Sequence, residues 1–173
     1  MKTVIIYKSK SGFTKKYAEW IAEELSAEMF EASKVSADLL MAYDVVIYGA
    51  GLYAGGINGL NLITQNLDKL NDKRIVVFTT GASPSKEETI TEIRNKNLTS
   101  EQQKHIQFFY LRGGFDYSKL KLVDRFLMKL LKKKLSKKEE LTPDESGMLA
   151  AYDTAVDFTS KKNMDELISY VKS

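Results

Sequence analysis

The succession of apolar and polar runs predicts an open, mostly parallel α/β sheet, on three observations. Five short apolar runs, at about residues 3–8, 29–32, 44–49, 74–79 and 106–111, are separated mostly by stretches with helical spacing. Asp44-Val45-Val46-Ile47-Tyr48-Gly49 and Arg74-Ile75-Val76-Val77-Phe78-Thr79 are nearly continuous apolar runs, as strands covered on both faces are. Loops rich in glycine or hydroxyls follow the first, third, fourth and fifth runs. In a parallel sheet those loops share one edge, where open sheets bind ligands. Crossovers should be right-handed, and 173 residues fit one domain, residues 1–173.

The first strand ends at Ser9-Lys10-Ser11-Gly12-Phe13-Thr14, and a helix follows at about 14–27. A helix start offers unpaired backbone N–H groups, so this loop can wrap an anion, with Ser9, Ser11 and Thr14 as further donors. Gly12 allows close backbone approach. The six residues fit an ordinary strand-to-helix turn as well. They lack the spacing of a nucleoside-triphosphate loop or a dinucleotide loop, so an anion held here is a monophosphate. Tyr17, Ala18, Ile21, Ala22 and Leu25 should face the sheet, with Trp20 partly exposed.

A short second strand and a short helix at 36–42 lead to the third strand. Its loop, Gly49-Ala50-Gly51-Leu52-Tyr53-Ala54-Gly55-Gly56, has four glycines in eight residues, an entropic cost that close approach of a ligand would explain. Tyr53 either stacks on a flat heteroaromatic ring or packs the loop. A helix is expected at 58–70, then the fourth strand and a small-residue loop, Thr79-Thr80-Gly81-Ala82-Ser83-Pro84. Ser85 and Glu88 have the spacing of a capping box, and Thr99 to Gln102 offers another cap. The fifth strand follows. Residues 118–135 read as a basic amphipathic helix, 141–147 as a loop, and 150–159 show no clean period. A final helix at 161–171, capped by Asn163, should bury Met164, Leu167, Ile168 and Val171.

Composition excludes several classes. Without cysteine the chain has no disulfide, no iron–sulfur ligation and no thiol redox chemistry. Its single histidine, His105, cannot build a metal cluster and is expected in a structural or surface role. No acid–base triad is apparent, so no catalytic side chain and no metal ligand are assigned. No apolar run is long enough to span a bilayer, and no signal peptide precedes the first strand, consistent with a cytoplasmic protein. The formal charge of +3 is unevenly placed: residues 119–138 carry nine Lys or Arg against Asp124 alone, a local +8, leaving −5 elsewhere. That partition argues against nucleic acid as a partner. The basic helix has three readings: it lies on an anionic membrane, docks an acidic protein, or packs on the core with a solvated lysine face.

The motif Ser9-x-Ser11-Gly12-x-Thr14 after the first strand resembles the phosphate loop of the flavodoxin family. With the loops at 49–56 and 79–83, the likeness covers nearly the whole chain. It implies a flavodoxin-like doubly wound five-stranded sheet of order 2-1-3-4-5 and noncovalent FMN. By that resemblance Ser9, Lys10, Ser11, Gly12, Phe13 and Thr14 hold the ribityl phosphate. Ala50, Gly51, Leu52, Tyr53, Ala54 and Gly55 flank the isoalloxazine, and Thr80, Gly81, Ala82 and Ser83 lie on its other side.

Leu111-Arg112-Gly113-Gly114-Phe115-Asp116-Tyr117-Ser118-Lys119-Leu120 and the run from Val123 to Leu131 are similar to the menaquinone-dependent protoporphyrinogen oxidase branch of that family. In that branch an insertion after the fifth strand, here about 115–142, is associated with membrane contact. The chain differs in lacking an arginine at Tyr53 and in being less aromatic at Lys121 to Val123. The resemblance implies an FMN-dependent electron-transfer flavoprotein or oxidoreductase, with protoporphyrinogen as substrate and a quinone as acceptor. It would sit in the cytoplasm, peripheral at the inner face of the cell membrane through 118–138. The alternatives are a soluble flavodoxin-type carrier docking protein redox partners and a flavin-free interaction domain.

Overall fold

The computed structural model describes residues 1–173, Asp144 by its backbone alone. The strands are β1 (Thr3–Lys8), β2 (Glu28–Glu31), β3 (Val45–Tyr53), β4 (Gly56–Ile57), β5 (Arg74–Gly81), β6 (Ile106–Arg112), β7 (Gly114–Phe115) and β8 (Val156–Asp157). The helices are α1 (Phe13–Leu25), α2 (Ala37–Leu40), α3 (Asn61–Thr64), α4 (Glu87–Asn97), α5 (Gln102–His105), α6 (Leu122–Leu135), α7 (Pro143–Ala151) and α8 (Asp165–Lys172).

The main sheet runs β2-β1-β3-β5-β6, all parallel, with β4 paired antiparallel to the end of β3. Without the β4 hairpin this is the order 2-1-3-4-5. Alternate residues of each strand face opposite layers. Ile5, Ile47, Val76 and Phe78 pack with Tyr17, Ala18 and Ile21 of α1 and with Leu167, Ile168 and Val171 of α8. Val4, Ile6, Val46, Tyr48 and Val77 pack on the other face with Leu40, Ile63, Leu70 and Leu98, and Ile90 and Ile93 of α4 lie against them. Gly49 is required where β3 passes Phe78, because a Cβ there would overlap the Phe78 ring.

Several expected elements differ. The helix at 58–70 is broken into α3 and a 3₁₀ turn at Leu67–Leu70. Asn66 Nδ2 donates to the Leu62 carbonyl (2.9 Å), so a side chain takes the place of a continuing helical bond. The loop at 49–56 is largely strand: β3 runs on to Tyr53 and folds back into β4. Ala54 (φ 50°) and Gly55 (φ 78°) supply the two left-handed central residues of such a tight turn.

Ser85 and Glu88 form no capping box. The Lys86 N–H donates to the Pro84 carbonyl, and α4 starts one residue later. Thr99 and Gln102 do exchange reciprocal capping bonds. Residues 141–147 are not a loop, because Thr142 and Glu145 form a capping box with Pro143 in the first turn of α7. At the C-terminus Asn163 is not the cap. Ser160 caps a 3₁₀ turn at Lys161–Met164, and Asn163 Nδ2 donates to the Tyr17 hydroxyl (2.6 Å). The excursion expected at 115–142 extends to Asp157, where β8 pairs with β7 and closes it.

The amphipathic helix keeps its place, with its apolar stripe turned outward. Of α6, Asp124 and Leu135 are buried, while Leu122, Val123, Phe126, Leu127 and Leu130 face outward at 47–83% exposure. The core-packing reading does not hold for this stripe. Among the described residues no helix is long and apolar enough to cross a membrane.

Candidate functional site

The C-terminal ends of β1, β3, β5 and β6 meet at the start of α1. Gly12 stands at the helix N-terminus with φ 95°, a left-handed backbone that favours glycine, and nothing approaches the place a Cβ would take. The Gly12 N–H donates to Ser9 Oγ (3.1 Å), which curls the loop. Lys16 is the first residue of α1 to donate back into the helix, to the Gly12 carbonyl. The N–H groups of Ser11, Phe13, Thr14 and Lys15 have no hydrogen-bond partner among the described residues. The positive end of the helix dipole adds to this concentration of donors.

Behind the loop, Thr14 Oγ1 and Thr80 Oγ1 are 2.7 Å apart and buried. A Cβ on Gly51 would lie 3.6 Å from the first hydroxyl and 3.7 Å from the second. Thr79 Oγ1 donates to the Ala50 carbonyl (2.8 Å), and the Gly113 N–H donates to the Gly81 carbonyl (2.8 Å). These bonds tie α1 and the ends of β3, β5 and β6 together under the loop. Phe13 turns its ring inward, where a Cβ on Gly114 would collide with it, so its side chain is packing and its N–H is the group left facing the loop.

The structure therefore brings Ser9 to Thr14 together with Gly51 and Thr80, and ties Ala50 and Gly81 to the same strand ends. Leu52 and Tyr53 end β3, with the Tyr53 ring 43% exposed. Ala54 and Gly55 form the hairpin tip, lying against α4: Asn97 Nδ2 donates to the Gly55 carbonyl (3.0 Å), and Asn97 Oδ1 accepts from the Ile57 N–H (2.7 Å). Ala82 and Ser83 are held by their carbonyls, which accept from Arg112 Nε (3.3 Å) and the Tyr110 hydroxyl (2.9 Å). His105 is exposed at the end of α5, away from this edge.

Two residues near this edge are not apparent from motif spacing. Asn97 clamps the hairpin, and a lone Asn at a helix end carries little warning. Asp124 reaches from α6 to Lys10 of the loop, with Nζ 3.2 Å from Oδ2. Lys10 Nζ also lies 3.7 Å from the centre of the Tyr53 ring. A single acid inside a run of nine cations is the signal that marks Asp124.

The donors present suit a phosphate monoester: unpaired amides, hydroxyls and a helix N-terminus, all beside a partly exposed aromatic ring. This is a fit to FMN. Comparison with known proteins finds the following similarities. An uncharacterised protein of Methanocaldococcus jannaschii is 33% identical over 126 residues, covering 70% of this chain and 82% of its own. Protoporphyrinogen IX dehydrogenase [quinone] of Escherichia coli K12 is 24% identical over 144 residues, covering 77% of this chain and 80% of its own. A flavoprotein from Lactobacillus acidophilus, solved in complex with FMN, superposes with a TM-score of 0.40 at 21% identity, covering 64% of this chain and 91% of that one. The flavodoxin-domain profile matches residues 4–142, and with most of its length so matched the chain belongs to the flavodoxin-domain family.

Proposed function

We propose that this protein is an FMN-dependent electron-transfer flavoprotein. The observation that carries the reading is the set of unpaired amides at Ser11, Phe13, Thr14 and Lys15, joined to the hydroxyl pair of Thr14 and Thr80. Bound FMN would supply the redox chemistry. The chain's own residues bind and orient it. Ser9, Ser11 and Thr14 donate to the phosphate, Gly12 lets the backbone approach, and Tyr53 offers an aromatic face. Lys10, Ala50 to Gly55 and Thr80 to Ser83 complete the walls.

The finer reading is an oxidoreductase that passes electrons from a reduced organic substrate to a quinone. The Escherichia coli relative bears the name of such an activity, and the outward apolar face of α6 supports delivery at a lipid surface. Leu122, Val123, Phe126, Leu127 and Leu130 would enter the headgroup boundary, with Lys129, Lys133 and Lys134 nearby to meet anionic lipid. FMN-loaded protein with protoporphyrinogen, menaquinone and anionic vesicles tests it. Quinone reduction well above the protein-free rate is expected. A background rate removes this substrate, and rapid exchange with a flavodoxin reductase instead favours a soluble carrier. Changing Lys129, Lys133 and Lys134 to Glu should abolish cosedimentation with anionic vesicles, and unchanged cosedimentation contradicts membrane docking.

A further inference from the structure

Asp124 is a carboxylate brought from the insertion into the cofactor edge of the sheet. It is 8% exposed, and its only hydrogen-bonding partner among the described residues is Lys10, whose Nζ lies 3.4 and 3.2 Å from its two oxygens. Lys10 belongs to the loop that carries the unpaired amides. Its ammonium is simultaneously 3.7 Å from the Tyr53 ring centre. One lysine thus joins three pieces of chain: the loop after β1, the end of β3, and α6. The charge that the sequence offers to a phosphate is committed in the structure to a carboxylate and an aromatic face.

Resting on the FMN reading above, we propose that Asp124 is a positioning residue of the cofactor site, holding Lys10 against Tyr53 and coupling the seating of α6 to FMN affinity. Three physical arguments support it. A nearly buried carboxylate left without its cation is strongly unfavourable, so Lys10 is retained while α6 is seated. An ammonium over an aromatic face is further held by the ring quadrupole. The paired lysine is then a weak partner for phosphate. Lifting α6 away frees Lys10 for the phosphate, and by linkage FMN binding favours the lifted helix by the same factor. α6 is held by the Tyr152 hydroxyl donating to the Met128 carbonyl (2.7 Å), the Tyr117 hydroxyl donating to the Arg125 carbonyl (3.3 Å), Arg125 Nη2 donating to the Ser118 carbonyl, the Lys132–Asp153 pair (3.2 Å) and buried Leu135, while its outer apolar face is open to a partner.

The test is a double-mutant cycle on FMN affinity with a second readout that needs no flavin. Asp124→Asn keeps the side-chain shape and should tighten FMN about three- to fivefold, the scale of one partly exposed ion pair. In a Lys10→Met background the same change should alter affinity less than about twofold, because the coupling runs through Lys10. An equal effect in both backgrounds, or none in the wild-type chain, overturns the proposal. Carbon-13 reductive methylation reports on Lys10 directly, with Lys10→Arg identifying its signal. That signal should be ring-shifted in the wild-type chain and should move toward the bulk lysine position in both Tyr53→Leu and Asp124→Asn. A Lys10 signal indifferent to Asp124→Asn also overturns the proposal, whether or not flavin binds. Absence of FMN binding by every variant, with the ring shift intact, defeats the FMN reading and leaves the Asp124–Lys10–Tyr53 positioning standing.

Discussion

Thr14 has one hydroxyl that can serve two partners. It lies buried 2.7 Å from the Thr80 hydroxyl, at the first turn of α1 where the amides are unpaired. A threonine can accept from Thr80 and donate forward to a phosphate at the same time. Thr14→Val keeps the shape and removes both bonds. FMN affinity should fall by roughly ten- to a hundredfold, the effect of one hydrogen bond to a charged group. Urea unfolding of the flavin-free protein should show a loss of about 1–3 kcal/mol, because the Thr80 hydroxyl is left buried and unpaired. Thr14→Ser should restore most of both, and an unchanged FMN titration in Thr14→Val would take Thr14 out of the site. The pattern Ser9-x-Ser11-Gly12-x-Thr14 made this residue legible, because adjacent residues in a loop carry their own geometry. Asp124 is the opposite case. It lies 114 positions from its partner Lys10, and local spacing says nothing of such a meeting.

The hairpin of β3 and β4 depends on a residue outside it. Asn97 accepts from the Ile57 N–H and donates to the Gly55 carbonyl and to the Ile93 carbonyl. Asn97→Ala should cost about 1–3 kcal/mol by stranding these backbone groups. Amide exchange at Ile57 should speed up far more than exchange in the centre of β3. Equal protection in the variant would mean that the turn holds itself. The glycines of 49–56 suggested a ligand loop, but composition alone could not separate a loop from a strand that doubles back. The turn residues Ala54 and Gly55 decide it through their positive φ. For α6 the period was legible and the facing was not. Apolar spacing defines a stripe on a helix, but the direction of that stripe depends on what lies beside it. Here Tyr117 and Tyr152 donate to the Arg125 and Met128 carbonyls and turn inward a mixed side of Asp124, Arg125, Met128, Leu131, Lys132 and Leu135.

Across the fold, the apolar strand runs and the loops at their ends were enough to give the parallel sheet and the edge where those loops gather. What escaped was the wiring between distant residues, including the Asn163–Tyr17 bond that ties the C-terminal turn to α1. Tyr17 also donates to the Arg112 carbonyl (2.6 Å), and Tyr48 donates to the Asn58 carbonyl (2.7 Å). Burial raises the pKa of both phenols above the ordinary tyrosine value. Their neutral forms are favoured in the folded chain, so this contribution to stability is complete below about pH 10 and is lost as pH rises beyond it. Tyr17→Phe and Tyr48→Phe should each flatten the alkaline fall in a denaturation series, whereas wild-type slopes in both would contradict the linkage.

The central claim is that a single phosphate is gripped between Ser9 and Thr14 at the edge of the sheet. It is tested most directly by titrating flavin-free protein with FMN and with riboflavin and following quenching of flavin fluorescence. One FMN should bind per chain, far more tightly than riboflavin, with the difference shrinking in Thr14→Val. Equal binding of the two flavins, or binding of neither, would contradict it.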